Sequence, residues 1–265
     1  MRIKYLIIII LFGFVLWSCK VIGILENSEN LNNKQVYKTP ISCETPSYKT
    51  GEIVSHTYYN LQYAEQHEQA YWVSYILYPD FLVKNAIRKN RFKKDPNVTT
   101  GSASLKDYKG NGFDRGHLAP AGSMIYNQQA MDESFYMSNM SPQHPGFNRG
   151  VWKRLESQVR TWAQASDSLF VVTGPVLNNI DKTIGENKVS IPKQYYKVLV
   201  CFKDNDMHGI AFLLEHAASK ELLETFAVPI DSIEALTKID FNANWNTKIE
   251  SEIEKGIELT AWDFK

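Results

Sequence analysis

The balance of strand-like and helix-like segments is the feature that most constrains the fold of this 265-residue chain. Five short runs are rich in aromatic and β-branched residues, which favour strands; they cover residues 71–78, 135–138, 169–173, 195–202 and 209–215. A clear helical period is found in one segment, where apolar residues between 151 and 163 form a single stripe. Strands with few intervening helices predict an α+β fold and argue against a βαβ repeat.

The composition excludes several classes of protein. With 44% hydrophobic residues the chain can bury a large core, so wholesale disorder and collagen-like repeats are excluded. The 29 basic and 29 acidic residues give a net charge of +0, which excludes a strongly basic nucleic-acid coat protein but not a local basic patch. Without an internal repeat, residues 49–265 are predicted to form one domain.

The N-terminus has the pattern of an export signal. Arg2 and Lys4 precede an uncharged apolar stretch, residues 6–17, whose length is that of a signal peptide. The stretch ends in Leu-Trp-Ser-Cys, which resembles the lipobox of bacterial lipoproteins. Removal of residues 1–18 and lipidation of Cys19 are therefore predicted, with an uncleaved anchor or an ordinary signal peptide as the alternatives. A lipoprotein of this kind is exported and anchored to a membrane, facing the periplasm or the cell surface.

Residues 19–48 are polar and rich in asparagine, with no helical or strand period, and are predicted to form a flexible tether. Cys43 and Cys201 are then left as an even pair in an oxidising compartment, so either a disulfide or two free thiols is expected. None of the three cysteines belongs to a Cys-x-x-Cys zinc pattern.

Ordered motifs in the middle of the chain carry the candidate chemistry. Asp-Arg-Gly-His at 114–117 follows a glycine-rich approach, Ser-Asn-Met-Ser-Pro-Gln occupies 138–143, and Asn148 opens a segment that ends at Glu156. Asp-Pro at 95–96, with a phenylalanine upstream, precedes them. These stretches resemble, in order and spacing, the DNA/RNA non-specific endonucleases of the ββα-metal (His-Me finger) class, and the resemblance covers most of residues 49–265.

This resemblance implies both a fold and an activity. The fold is the ββα-metal finger nuclease fold, in which a central antiparallel sheet is flanked by helices. The activity is hydrolysis of DNA and RNA with little sequence preference, leaving 5′-phosphate ends and requiring Mg²⁺, for which Mn²⁺ is a substitute. DNA and RNA are the implied partners, and the sequence leaves a monomer and a homodimer both open.

Three residues are assigned the central chemistry by the resemblance. His117 matches the general base, and an imidazole that titrates near neutrality can take a proton from water at physiological pH. Asn148 matches the direct metal ligand, and Glu156 matches the acid that holds metal-bound water. If the helix begins near Asn148, eight residues rise roughly 12 Å, so Glu156 is expected to reach a hydrated ion through water.

Further assignments surround these three. Asn139 matches a supporting active-site asparagine, and Arg115 matches the arginine of the histidine motif. The family also places an upstream arginine near the phosphate, and Arg88 is preferred here over Arg91. Both belong to a run of six cations between residues 84 and 94, which on its own is equally compatible with a solvated surface.

Each key residue also has a structural interpretation. Glu156 is positioned to pair with Lys153 or Arg160 on a solvated helix face, and asparagine is a favoured helix cap, which would explain Asn148. His144, His208 and His216 have no ligand-like spacing and are expected to be structural.

Two other functions compete with the endonuclease. The first is a catalytically weak module that captures extracellular nucleic acid on the same fold; the presence of His117, Asn148 and Glu156 together argues against it. The second is a zinc hydrolase, which the absence of a His-x-x-x-His pair or a cysteine cluster disfavours.

Overall fold

The computed structural model of the protein describes residues 45–47, 50–242, 245 and 247–264. All of them belong to one structural unit, residues 35–265. The predicted signal peptide, Cys19, Cys43 and nearly all of the predicted tether lie outside the described residues. Cys201 carries a free thiol, and burial raises the pKa of that thiol. Within the described ranges, no helix has both the length and the apolar character needed to cross a bilayer.

The described residues contain strands and helices in a mixed order. The strands are β1 (Glu52–Ser55), β2 (Asn60–Ala64), β3 (Gln69–Leu77), β4 (Asp114–His117), β5 (Met140–Gln143), β6 (Ser168–Pro175), β7 (Thr183–Ile184), β8 (Val189–Ser190), β9 (Gln194–Lys203), β10 (Asp206–Glu215) and β11 (Ala227–Val228). The α-helices are α1 (Leu105–Tyr108), α2 (Gln128–Glu133), α3 (Lys153–Gln164), α4 (Ile230–Thr237) and α5 (Thr247–Glu254).

A seven-stranded sheet lies at the centre, in the order β1-β2-β3-β6-β9-β10-β11, and every neighbouring pair is antiparallel. Alternate residues of a strand face opposite sides. On β9, Tyr195 and Leu199 join the cluster that contains the apolar stripe of α3, whereas Val198 and Val200 join the cluster that contains α4 and α5. The predicted α+β fold, with a central antiparallel sheet flanked by helices, is confirmed.

Four of the five strand-like runs lie in the central sheet, and the run at 135–138 does not. Phe135 lies in a turn, residues Met137–Asn139 form a 3-10 turn, and the strand begins only at Met140. Phe135 is buried against Phe92 and the ring of His117. The apolar character of this run therefore comes from a turn that fills the core beneath the site, which periodicity cannot distinguish from a strand.

The predicted apolar stripe is confirmed, but the helix begins later than expected. Leu155, Val159 and Trp162 are buried on the core face of α3. A π-helical turn, Phe147–Trp152, precedes α3, and Gly150 has non-helical dihedral angles of φ −103° and ψ −112°. Asn148 therefore neither lies on α3 nor caps it, and the 12 Å rise expected for a continuous helix does not describe its distance from Glu156.

Candidate active site

The site is built on a two-stranded unit followed by a helix. Strands β4 and β5 pair antiparallel with His117 opposite Met140, and the chain then passes through the π-helical turn into α3. Gly116 permits this pairing, because a Cβ atom at that position would lie 2.1 Å from Cδ of Gln143. The strand–strand–helix order matches the expected ββα arrangement.

A cavity of 770 Å³ opens where β4, the π-helical turn and α3 meet. Five of the predicted site residues line it: Arg88, Arg115, His117, Asn148 and Glu156. Asp114, Arg149, Lys153 and Arg160 also line it. The tertiary structure thus brings together side chains that are up to 72 positions apart in the sequence.

His117 is held as a neutral imidazole. Its ring lies 4.9 Å from that of Phe135 in an edge-on contact and 5.8 Å from that of Phe92. Its Nε2 atom is buried and has no hydrogen-bond partner among the described residues. Burial, assisted by the positive charges of Arg88 and Arg115, lowers the pKa of His117 to about 3. This value is well below the near-neutral pKa expected from the sequence, because the ring is removed from water and faces two cations. The ring is therefore neutral at physiological pH and has a free lone pair with which to accept a proton.

Asn148 is oriented by an acid of the histidine motif. Its Nδ2 donates to Oδ2 of Asp114 at 2.9 Å, and Arg149 donates to both oxygens of the same carboxylate. These donors lower the pKa of Asp114 against the opposing effect of its burial. Because the amide nitrogen is engaged, Oδ1 of Asn148 is the atom left available as a ligand.

Glu156 is half-buried on α3 and lines the cavity. Burial raises the pKa of its carboxyl, and the positive charges around it oppose that rise, with Lys197 first and Arg160 second. Among the described residues it forms no ion pair with Lys153 or Arg160 within 4.0 Å. The ion pair expected if Glu156 were an ordinary solvated helix residue is therefore not found among the described residues.

Three guanidinium groups in the cavity have no carboxylate partner among the described residues: those of Arg88, Arg115 and Arg160. Arg88 donates to Oδ1 of Asn90 at 2.7 Å, and the guanidinium of Arg115 lies 4.2 Å from the ring centre of Phe92. Arg91, the alternative to Arg88, is exposed and does not line the cavity. A cluster of unpaired guanidiniums favours an anionic ligand, phosphate above all.

Asn139 lies behind the site and does not contact the cavity. It is fully buried and does not line the cavity. Its Oδ1 accepts from the backbone N–H of Ala119 at 2.8 Å, and its Nδ2 donates to the carbonyls of Ala119 and Ser134 at 2.9 and 2.8 Å. This side chain therefore clamps the segment after His117 from outside the cavity, and its assignment as a supporting active-site asparagine stays a prediction.

Four charged residues that line the cavity were not identified from the sequence as parts of the site: Asp114, Arg149, Lys153 and Arg160. All four lie within a recognised motif or one helical turn from Glu156, so local sequence patterns could have indicated them. Lys197, whose charge acts on Glu156 from outside the cavity lining, had no such local pattern, because it lies 41 positions beyond Glu156 in a strand of apolar and aromatic residues. Of the predicted structural histidines, His216 has a clear structural role, accepting from the backbone N–H of His144 at 2.7 Å.

The oxygen donors in the cavity suit a hard cation. An amide oxygen from Asn148 and a carboxylate from Glu156, in a cavity with room for water, match the preference of Mg²⁺ for few protein ligands and several waters. Within the described residues, the one grouping of His, Cys, Asp or Glu with metal-like spacing is Asp231, Glu234 and Glu254. None of these three acids lines the cavity.

Comparisons with known proteins agree with this geometry. Residues 39–248 match the model of the DNA/RNA non-specific endonuclease family. Nuclease C1 of Cunninghamella echinulata var. echinulata is 37% identical over 166 residues, which is 57% of this chain and 66% of that protein. Human mitochondrial endonuclease G is 33% identical over 208 residues, which is 73% of this chain and 70% of that protein.

The fold is shared with a solved structure as well. The crystal structure of the EndoG/EndoGI complex superposes with a TM-score of 0.69 at 30% identity, covering 76% of this chain and 89% of the other. The family match extends over most of the chain and includes every residue that lines the cavity. The chain therefore belongs to the DNA/RNA non-specific endonuclease family and is a nuclease of that class.

Proposed function

We propose that this nuclease hydrolyses phosphodiester bonds of both DNA and RNA in a Mg²⁺-dependent reaction with little sequence preference, leaving 5′-phosphate ends. The observation that carries the proposal is the cavity itself. It combines a neutral histidine, an amide and a carboxylate oxygen donor, and three guanidiniums without carboxylate partners. Phosphodiester hydrolysis needs these elements together, namely a proton acceptor for water and positive charge around a crowded, negative transition state.

The residues that line the cavity have separate roles in the proposed reaction. His117 accepts a proton from the attacking water, since its ring is unprotonated. Arg88, Arg115 and Arg160 hold the phosphate oxygens and stabilise the charge that develops on them. Contacts directed at phosphate carry no sequence information, which accounts for weak base preference.

Asn148 and Glu156 would hold the magnesium ion, Asn148 through Oδ1 and Glu156 through water. When bound, the cation supplies Lewis-acid stabilisation of the leaving oxygen. Asp114 supports this arrangement by fixing the orientation of the Asn148 amide. Asn148 is a neutral ligand, so the charge of the ion stays available to the substrate.

Export and lipid anchoring form a separate part of the proposal and depend on the N-terminal pattern alone. Residues 1–18 would be removed, Cys19 lipidated, and residues 19–48 would tether the 49–265 domain to the membrane. Cys19→Ser should move the protein from the membrane fraction to the soluble fraction or block processing, whereas Cys43→Ser should not. Unchanged fractionation and electrophoretic mobility of Cys19→Ser would argue against lipidation.

The nuclease proposal is tested with purified protein, supercoiled plasmid and a structured RNA. Both substrates should be cleaved with Mg²⁺ or Mn²⁺ and protected by EDTA. His117→Ala should cleave about 10²–10⁴-fold more slowly while retaining affinity for nucleic acid. His208→Ala is the matched control, because His208 lies outside the cavity and its ion-pair partners in the described part of the chain are the surface acids Asp206 and Glu258. If wild type and both variants bind but none cleaves, the capture module is the better description.

A further inference from the structure

A buried lysine lies in the core next to the candidate site and has no role in the mechanism above. Lys197 is at the centre of β9, on the same face as Tyr195 and Leu199, and is 0% exposed. Its Nζ atom has no hydrogen-bond partner among the described residues. The ammonium lies over the ring of Trp152, 4.7 Å from the ring centre.

Such a placement needs a compensating interaction. An ammonium removed from water loses hydration free energy, and a cation–π contact returns only a part of that loss. Within the described residues, no carboxylate lies within 4.0 Å of Lys197. A negative charge at slightly longer range would supply further stabilisation.

Glu156 supplies that charge. Trp152 immediately precedes α3 and Glu156 lies one helical turn later, so the two side chains occupy neighbouring positions on one face of the helix. The ammonium over the Trp152 ring is thus on the core side of Glu156. Burial raises the pKa of Glu156 and lowers the pKa of Lys197, and each group is the strongest charge that opposes the effect of burial on the other.

The surroundings of this pair are buried and contain polar groups. Trp152 and Tyr75 are both 0% exposed, and Nε1 of Trp152 has no hydrogen-bond partner among the described residues. Tyr75 responds to the charges of both Glu156 and Arg160, which places it in the same electrostatic environment. Because Lys197 is removed from bulk water, its charge acts more strongly on its neighbour than it would at the surface.

We propose that Lys197 is a positioning residue of the active site, whose buried positive charge anchors the carboxylate of Glu156 from the core side. This inference rests on the proposed role of Glu156 toward the magnesium ion. Without the charge behind it, the carboxylate would turn toward Arg88 or Arg160, the other cations that act on it. It would then be displaced from its place beside the ion, and the arginines would be less available to phosphate.

The test compares Lys197→Met, which preserves the length but removes the charge, with Lys197→Arg, which preserves the charge. Lys203→Met is the matched control, because Lys203 is on the same strand but exposed. At temperatures where all variants are folded, Lys197→Met should raise the Mg²⁺ concentration for half-maximal cleavage, or lower the maximal rate, by about 10–100-fold. Lys197→Arg should recover most of this loss, and Lys203→Met should behave as wild type.

A double-variant cycle separates positioning from packing. In the Glu156→Gln background, Lys197→Met should change the Mg²⁺ requirement no further, because the group it positions is already absent. An unaltered Mg²⁺ titration for folded Lys197→Met, or equal effects of Lys197→Met in both backgrounds, would overturn the proposal.

Stability provides a second readout that needs no cleavage. Glu156→Gln leaves Lys197 without its compensating charge, so it should lower the melting temperature, and adding Lys197→Met should restore part of that loss. This measurement remains decisive if Lys197→Met alone fails to fold, and no melting change in Glu156→Gln would refute the pairing. Failure of the nuclease proposal is distinguishable, because wild type and Lys203→Met would then not cleave with Mg²⁺ at all.

Discussion

Replacing Asn139 by alanine should act mainly on folding, even though the residue belongs to an active-site motif. The substitution removes three side-chain hydrogen bonds at 2.8, 2.9 and 2.8 Å, leaving the N–H and C=O of Ala119 and the C=O of Ser134 without their partners. A buried polar group that loses its partner costs about 1–3 kcal/mol. Water entering the vacated space can satisfy some of these groups, so the low end, roughly 3 kcal/mol in total, is expected.

The matched control is the same substitution at Asn148, whose side chain donates one hydrogen bond, to Asp114 at the cavity wall. A loss of about 3 kcal/mol should lower the melting temperature of Asn139→Ala by about 6–12 °C for a domain of this size. Asn148→Ala should melt within a few degrees of wild type but need far more Mg²⁺ for cleavage. Differential scanning calorimetry and Mg²⁺ titrations of plasmid cleavage, both well below the melting transitions, measure the two effects.

The outcome that would refute this reasoning is the reverse pattern. If Asn139→Ala kept the melting temperature of wild type and lost cleavage by several orders of magnitude, Asn139 would act on the substrate and the clamp would be unimportant. The hydrogen bond from the N–H of Leu118 to the carbonyl of Asn139, at 3.0 Å, is made by the backbone and survives the substitution. The segment after His117 should therefore be loosened and not lost, with only a modest decrease in the rate of the folded variant.

Further substitutions test other parts of the structure. Gly116→Ala would place a Cβ atom 2.1 Å from Cδ of the fully buried Gln143 side chain and should cost about 1–3 kcal/mol in a denaturant titration, whereas Gly256→Ala meets nothing within 4 Å and should be near neutral. Arg88→Ala should weaken DNA binding and flatten its logarithmic salt dependence by about one unit, and Arg91→Ala should leave the slope unchanged. Burial raises the pKa of Glu254 to about 8 from an ordinary carboxyl value of 4.5, so the contribution of Glu254 to stability falls as pH rises from 4.5 to 8. Glu254→Gln should therefore stabilise the protein most above pH 8 and little near pH 4.5. Equal gains in stability at both pH values would contradict this prediction.

The sequence was most informative where the signal was local. The apolar stripe of α3 follows directly from a helical repeat, and the runs that became β3, β6, β9 and β10 follow from strand composition. The histidine motif and the Asn148 segment were recognisable because their internal spacing is short and fixed. The expected signal peptide, the tether and the lipidation of Cys19 are local patterns too, and they stay predictions because they lie outside the described residues.

The structure departed from the local pattern where a residue's partners are distant in the sequence. The run at 135–138 has strand composition but packs as a buried turn, and Asn139, which belongs to a catalytic motif, hydrogen-bonds the backbone of Ala119 instead of lining the cavity. Gly150 interrupts the helix that the stripe would otherwise extend back to Asn148. In each case the local pattern was real, and its tertiary environment gave it another structural role.

The amino-acid sequence by itself thus determined the α+β class, the family motifs and the types of residue available for chemistry. Only the tertiary structure decided which of them share a cavity, because the pairing of β4 with β5 and the packing of α3 on the central sheet bring His117, Asn148 and Glu156 together. It also decided their electrostatics. The pKa of a side chain depends on the water removed from around it and on charges across space, so the neutrality of His117 and the charge of Lys197 behind Glu156 have no counterpart in any local sequence pattern.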